Sequence, residues 1–163
     1  MNYFYKISLL FALCSLFLIS CGSDGNCQQN SVVSLGVDFY KTELDPVTEQ
    51  FKDIPYSDTL TIFGLGNDSL LANQEITGGK RLPLKNFSTQ TTYIFERKNM
   101  QPDTITFTYE NEENFISLEC GCVIYHRITD VEYTFYSIDS VVVMNNFVAD
   151  NKGKNIRIYF KNR

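Results

Sequence analysis

Apolar and polar residues alternate with a period of two through much of the chain after residue 30. The alternation is clearest in four stretches, VSLGVDFY, DTITFTY, DVEYTF and NIRIYFK. In the second of these, Ile105, Phe107 and Tyr109 take one face while three threonines take the other. Because successive side chains of a β-strand point to opposite faces, this pattern predicts half-buried strands.

Less regular stretches, DTLTIF, RLPL, TTYIFER and SIDSVVVMN, bring the predicted total to about eight strands with turn signals between them. No segment after residue 22 keeps the period of an amphipathic helix, so little helix is expected. We therefore predict an all-β fold, an antiparallel immunoglobulin-like β-sandwich of about eight strands, with a small closed β-barrel as the alternative. Pro83 is expected at an edge or a bulge because it cannot donate to a ladder.

The segment DTITFTYENEENFISLECGCVIYHRI predicts a long hairpin that turns between Asn111 and Asn114. In its second strand, Cys120 and Cys122 share one face with the apolar residues. Two residues apart in an extended strand, their Cβ atoms are about 6.5 to 7 Å apart, whereas a disulfide needs about 3.5 to 4.5 Å. A bond between these two cysteines therefore requires a distorted strand.

The chain begins with an apolar run at residues 7–19, preceded by Lys6. About thirteen apolar residues are too few to cross a hydrocarbon core about 30 Å thick, so the run is typical of a cleaved signal peptide. The run ends in LISC, which resembles the lipobox of bacterial lipoproteins, whose cysteine is lipidated. We interpret Cys21 as the lipidation site, with an ordinary secretory signal as the alternative.

Lipidation of this kind adds a diacylglyceryl group and an amide-linked acyl chain to Cys21, and two or more chains make membrane anchoring stable. In bacterial lipoproteins an Asp directly after the lipidated cysteine favours retention in the inner membrane. This chain has Gly22 at that position, so the outer membrane is predicted, and either leaflet is possible. The predicted organisation is a signal peptide at 1–20, a lipidated N-terminus and short tether at 21–30, and a single β-sandwich domain at 31–163. Apart from the covalent lipid, no cofactor is expected.

The charge balance of the chain is acidic. The formal net charge is -5 and becomes -6 when the signal peptide and its single cation are removed. Such a balance argues against nucleic acid as a partner and against electrostatic adhesion to an anionic lipid surface. The 143 residues that remain are enough for one domain with a hydrophobic core.

The order of segments along the mature chain is itself a pattern. After the lipobox cysteine come Cys27, an alternating strand, and then DTITFTYENEENFISLECG, SIDSVVVMNNFV and NIRIYF. In this order the chain resembles a family of small uncharacterised lipoproteins of Bacteroidetes-type bacteria, over nearly the whole mature chain. The resemblance supports the anchor and the fold and implies no activity. Cys122 is an addition to the family's pattern.

Three cysteines remain once Cys21 is acylated, in a compartment that permits disulfides, so one pair and one leftover thiol are expected. Because Cys120 and Cys122 do not pair easily with each other, Cys27 is expected to pair with one of them. The family resemblance implies Cys27 with Cys120 and leaves Cys122, the alternative partner, as a buried thiol. The tether between lipid and disulfide would then span at most about 20 Å.

The sequence contains no recognisable catalytic constellation, and we predict that the protein is not an enzyme. His126 is the only histidine, which excludes a metal site built from several histidines. It lies about 13 Å along the strand from Cys122, too far for a thiol–imidazole pair. Glu112 and Glu113 fall in the predicted turn, and GLGND at 64–68 lacks the lysine and helix of a phosphate loop.

Two functions remain after these exclusions. The first is an accessory subunit that docks on a protein partner in the cell envelope through sheet edges or loops. The alternative is a binding module for a glycan or other small ligand, in which tyrosines replace the absent tryptophan as stacking surfaces. Exposed, coplanar tyrosines would favour capture, whereas a large apolar patch would favour docking.

Overall fold

The computed structural model describes residues 33–66, 70–117, 121–150 and 152–162. These residues form eleven strands and no helix. The strands are β1 (Ser34–Leu44), β2 (Phe51–Pro55), β3 (Asp58–Gly64), β4 (Leu70–Thr77), β5 (Gly79–Pro83), β6 (Gln90–Arg97), β7 (Asp103–Ser117), β8 (Gly121–Tyr133), β9 (Ile138–Val143), β10 (Phe147–Val148) and β11 (Ile156–Phe160).

The strands form two sheets arranged as a sandwich. The five-stranded sheet has the order β2-β1-β11-β9, with β5 pairing the first half of β1, and the six-stranded sheet has the order β10-β8-β7-β6-β3-β4. Neighbouring strands are antiparallel except β1 and β11, which run parallel. The predicted all-β sandwich is confirmed, and the sheets do not close into a barrel. Pro83 ends β5, which pairs with β1 alone among the described strands, as its missing N–H donor requires.

Inward-facing side chains of both sheets form one hydrophobic core. Phe39 of β1 lies edge-on to Phe95 of β6, with ring centroids 6.3 Å apart, and so joins the two sheets. The other fully buried large apolar side chains are Leu35, Leu60, Ile62, Leu82, Ile105, Phe107, Tyr109, Ile138, Ile156 and Ile158. The alternation in the sequence therefore marks the buried faces of β1, β7 and β11.

The β7–β8 hairpin is longer than the sequence predicted. β7 continues to Ser117 and pairs with β8, so Asn111 and Asn114 lie within a strand and the predicted turn is wrong. The cause is the run of exposed residues 110–113, where both faces of β7 are solvated and the sequence therefore reads as a loop. Glu112 forms an ion pair with Arg127 of β8 at 2.7 Å and is not a turn residue.

A buried carboxylate fixes the corner between β8 and β9. Asp103, at the start of β7, is fully buried. Its two oxygens accept five hydrogen bonds of 2.6 to 3.0 Å from residues 134–138, three of them from backbone N–H groups. The backbone donors of this corner are therefore satisfied inside the protein, and the position at which β9 begins is set.

A second buried charge ties the two sheets together near the end of β6. The guanidinium of Arg97 donates to the Asp58 carboxylate at 2.8 Å and to the Tyr56 hydroxyl at 2.9 Å. It also donates to the carbonyls of Ser137 and Lys161. Burial by itself raises the pKa of Asp58, but the hydrogen bonds, led by that from Arg97, hold it below its usual value. Asp58 is therefore ionised and paired.

Candidate functional site

The turn between β1 and β2 presents three exposed apolar side chains, which we call the hairpin tip: Leu44, Val47 and Phe51. Their exposed fractions are 55%, 88% and 78%. Leu44 and Phe51 are directly opposite each other in the β1–β2 pair. The Asp45 carboxylate accepts from the Val47 N–H at 2.8 Å, and the Asp45 carbonyl accepts from the Glu49 N–H at 2.9 Å. These bonds hold the turn in one conformation while it displays apolar surface.

Negative charge surrounds the hairpin tip. Residues 42–51 contain three carboxylates and no cation. Glu43 is paired with Lys41, which leaves Asp45 and Glu49 as the charges nearest the apolar side chains. The tip also lies at the far end of β1 from Val33, where the N-terminal segment enters the described domain. The hairpin tip is therefore an apolar surface bordered by two negative charges.

The segment from Phe135 to Met144, which we call the β9 flank, contains several exposed apolar side chains around the edge strand β9. Five of its side chains are exposed by 41% to 61%: Phe135, Tyr136, Val142, Val143 and Met144. Asp139 is the only charged residue between positions 133 and 149. Depletion of charge around exposed apolar groups is typical of the centre of a protein interface.

A charged cleft of about 470 Å³ lies between β1 and the β4–β5 turn. Its walls carry both signs of charge, and these groups are already paired. Lys80 contacts Glu75 at 2.7 Å, Asp38 contacts Lys154 at 3.0 Å, and Arg81 donates to the Gly153 carbonyl. Since every cation lining the cleft has a partner, the cleft resembles ordinary solvated surface more than an anion site.

Tyr40 and Tyr159 stack on the outer face of the five-stranded sheet. Their ring centroids are 5.7 Å apart and the rings are tilted by 34°, with Arg157 4.7 Å from the centre of the Tyr40 ring. Tyr159 is only 8% exposed, and its hydroxyl donates to Asp53 at 2.7 Å. The pair is therefore neither flat nor free, and it is a poor platform for stacking a sugar ring.

His126 lies buried at the end of the core where the β7–β8 hairpin leaves the sandwich. One ring nitrogen, Nδ1, bonds the Asn111 amide oxygen at 2.7 Å, and the ring stands edge-on to Tyr109. The other nitrogen, Nε2, has no partner among the described residues. Burial lowers the pKa of His126, so the ring is neutral near pH 7. The contacts of His126 are therefore those of a buried residue packed within the fold.

Of the four cysteines in the predictions, only Cys122 lies within the described residues. Cys21, Cys27 and Cys120 lie outside the described residues, so lipidation and the predicted disulfide stay predictions. Cys122 is a free thiol within the described part of the chain, and its side chain is exposed. The expectation of a buried thiol is therefore wrong. Cys122 lies opposite Phe115, where the hairpin extends past the core, and Phe115 is exposed as well.

Residues 33–66, 70–117, 121–150 and 152–162 contain neither a candidate metal site nor a membrane-crossing helix. No cluster of three or more His, Cys, Asp or Glu side chains there has the geometry to hold a metal ion. No helix in that part of the chain has the length and hydropathy that a membrane crossing requires. The surfaces with distinctive chemistry in the described residues are therefore the hairpin tip and the β9 flank.

Comparison with protein-family models matches residues 59–160 to the family described as "Family of unknown function (DUF6452)". The chain belongs to this family. No curated protein and no solved structure matches the chain. The DUF6452 match runs from β3 to β11 and so includes the β9 flank, whereas β1 and the hairpin tip precede it.

Sequence reasoning located neither apolar surface. The hairpin tip has a turn signal in LDPVTEQF, where Asp-Pro favours a turn, and two apolar residues close to it. SIDSVVVMN was predicted as a strand, with no statement on the exposure of its side chains. The sequence signal of this surface is the long stretch with a single charged residue, Asp139.

Proposed function

We propose that the protein is a bacterial lipoprotein, anchored in the outer membrane through Cys21, that acts as a non-enzymatic accessory subunit and docks on a protein partner of the cell envelope. The observation that carries the docking part is the hairpin tip. It combines three exposed apolar side chains with a turn that is held rigid by its own hydrogen bonds.

The anchoring part of the proposal is supported by the apolar run and the LISC motif at the start of the chain. The described domain begins at Val33, at the opposite end of β1 from the hairpin tip. Eleven residues at about 3.3 Å each separate these ends by about 36 Å. A lipid attached before Val33 therefore leaves the tip free to point away from the membrane.

The expected chemistry of the partner follows from the exposed apolar side chains of the hairpin tip and the carboxylates beside them. Burying a Val or Phe side chain fully contributes about 1.5 to 3 kcal/mol. Val47 and Phe51 are mostly exposed, so most of that contribution is still available to a partner. Because Asp45 and Glu49 flank these groups, the expected partner has an apolar recess with Lys or Arg at its border, which also speeds association.

Capture of a glycan or another small ligand is the alternative, and the outer face of the five-stranded sheet supports it less well. Tyr40 and Tyr159 are tilted, and the hydroxyl of Tyr159 is already bonded to Asp53. Glycan binding that is lost in Tyr40→Ala and retained in Phe51→Ser would favour the alternative over docking.

Anchoring is tested by metabolic labelling with a fatty acid. Cys21→Ala should abolish both the label and sedimentation with the outer membrane, because the thiol is the attachment point. Cys27→Ala is the matched control and should keep both. A Cys21→Ala protein that stays labelled and membrane-bound would show that the anchor is elsewhere.

Docking is tested with a photo-crosslinking amino acid at Val47 of the full chain in intact cells. We expect a discrete protein adduct that is lost in Phe51→Ser and reduced in Glu49→Lys, because the first removes apolar contact and the second reverses a flanking charge. Phe87→Ser is the control, since Phe87 is 99% exposed on another loop. No adduct, or an adduct unaffected by Phe51→Ser, would refute docking through the tip.

A further inference from the structure

We infer that the β9 flank is a self-association surface, on which β9 pairs antiparallel with β9 of a second copy of the chain. This surface is separate from the hairpin tip, and the inference does not depend on the proposed function. It rests on the open edge of β9, on the composition of that edge, and on the way the sequence of β9 complements itself.

β9 has an open edge in the described structure. It is the last strand of the five-stranded sheet and pairs with β11. None of the hydrogen bonds among the described residues joins the backbone of residues 139–143 to a strand other than β11. The outward N–H and C=O groups of these residues are therefore available for one more strand.

Between Ser140 and Val143 the edge lacks the features that normally prevent such pairing. Natural edge strands carry lysine, proline, a bulge or an inward-pointing charge. Residues 140–146 read SVVVMNN and contain no charge and no proline. The irregularity in the β9–β11 pair lies at Tyr159 and Phe160, beside Asp139, so Ser140 to Val143 is regular strand. This stretch has the high β-propensity that favours strand addition.

The sequence of β9 matches a second copy of itself. An antiparallel pair centred on Val142 places Val142 opposite its own equivalent and Val141 opposite Val143, which are favourable cross-strand pairs. Because β9 ends at Val143, the paired residues are Val141 to Val143 of each copy, and Asp139 lies outside them. The two Asp139 side chains are then about 20 Å apart along the strands. Parallel pairing in register would instead place the two Asp139 side chains side by side, so the charge favours the antiparallel arrangement.

The inference is tested by thiol crosslinking of the full chain in intact cells, with Cys122→Ser as the parent so that the exposed thiol is removed. Val142→Cys in this parent should give a covalent dimer with a short bis-maleimide, because the two-fold axis brings the two positions together. Ile76→Cys is the matched control, since Ile76 is exposed on β4, the edge strand of the other sheet. It should give no more dimer than the parent.

Introducing a charge on the β9 flank completes the test. The purified full chain in detergent should have the mass of a dimer by light scattering, and Val142→Lys should convert it to a monomer with unchanged circular dichroism. Ile76→Lys should remain a dimer. A monomeric wild type, a dimer that survives Val142→Lys, or equal crosslinking at Val142 and Ile76 would overturn the inference. The dimer mass and the crosslinking at Val142 do not depend on the photo-crosslinked adduct at the hairpin tip. Self-association through β9 and docking through the tip can therefore each be refuted without the other.

Discussion

The buried carboxylate of Asp103 gives the sharpest test of how this sandwich is held together. Asp103→Asn keeps the size and shape of the side chain but replaces one acceptor oxygen with an NH₂ group. One oxygen of Asp103 accepts from the Tyr136 N–H, and the other accepts from the N–H groups of Ser137 and Ile138. Whichever way the amide is oriented, at least one backbone N–H then faces another donor.

The expected cost follows from the groups left without partners. A buried donor without an acceptor costs about 1 to 3 kcal/mol, and hydrogen bonds to a charged group are about twice as strong as neutral ones. Asp103→Asn leaves one backbone N–H and the new side-chain NH₂ group without acceptors, and it removes the negative charge. Together these changes should destabilise the fold by about 3 to 5 kcal/mol. This is a large part of the 5 to 15 kcal/mol that is typical of a domain.

Urea unfolding of the Cys21→Ala chain, followed by tyrosine fluorescence because the chain has no tryptophan, measures the effect. With a slope of about 2 kcal/mol per molar urea, the midpoint should fall by about 1.5 to 2.5 M. Asp130→Asn is the control, since Asp130 is exposed on β8, and it should change stability by less than about 0.5 kcal/mol. The same small change in Asp103→Asn would refute the role assigned to this corner.

Three other results are expected. Burial lowers the pKa of His126, so below its ordinary value of 6.5 the unfolded chain takes up a proton that the folded chain does not. The free energy of unfolding should therefore fall as the pH drops below about 6.5, and His126→Gln should flatten this dependence. Arg97→Leu should cost about 3 to 5 kcal/mol because it removes the cation that is paired with the largely buried Asp58 carboxylate, and adding Asp58→Asn should restore part of the loss in a double-mutant cycle. Thiol trapping of the denatured, unreduced protein should label one cysteine, and peptide mapping should find Cys27 linked to Cys120; three labelled thiols would contradict this pairing.

The sequence predicted the strands that have one face toward the core and the other face toward water. In β1, β7 and β11 the apolar residues face the core and the polar residues face water, so the alternation is strong. Strands β2, β4 and β10 were not predicted. β2 has no fully buried residue, β4 has only Ala72 buried, and β10 has two residues in all, so none of them produces a pattern. Their place in the fold depends on neighbouring strands more than on their own sequences.

The errors at the β7–β8 hairpin have a common physical cause. Alternation predicts burial only if a second sheet covers the strand, and the sequence does not show where that cover ends. Residues 110–113 are exposed on both faces and were therefore taken for a turn. With the turn misplaced, Cys122 was assigned to an apolar face, whereas it lies opposite the exposed Phe115. The same limit concealed the hairpin tip, because Leu44 and Phe51 look like ordinary strand residues.

The parallel pairing of β1 with β11 has a consequence for the order in which the protein folds. Val37 pairs with Ile156, so the first and last strands of the described chain are neighbours inside one sheet. Contacts between such distant parts of a sequence form slowly, because a long loop must close before they stabilise anything. Because a chain is synthesised from its N-terminus, Leu35 and Phe39 of β1 are present before β11, the strand with which β1 pairs in parallel. Until β11 is available their apolar surface is exposed and can misassemble, so a chaperone that holds β1 should raise the yield of folded protein more than one that acts on the completed chain.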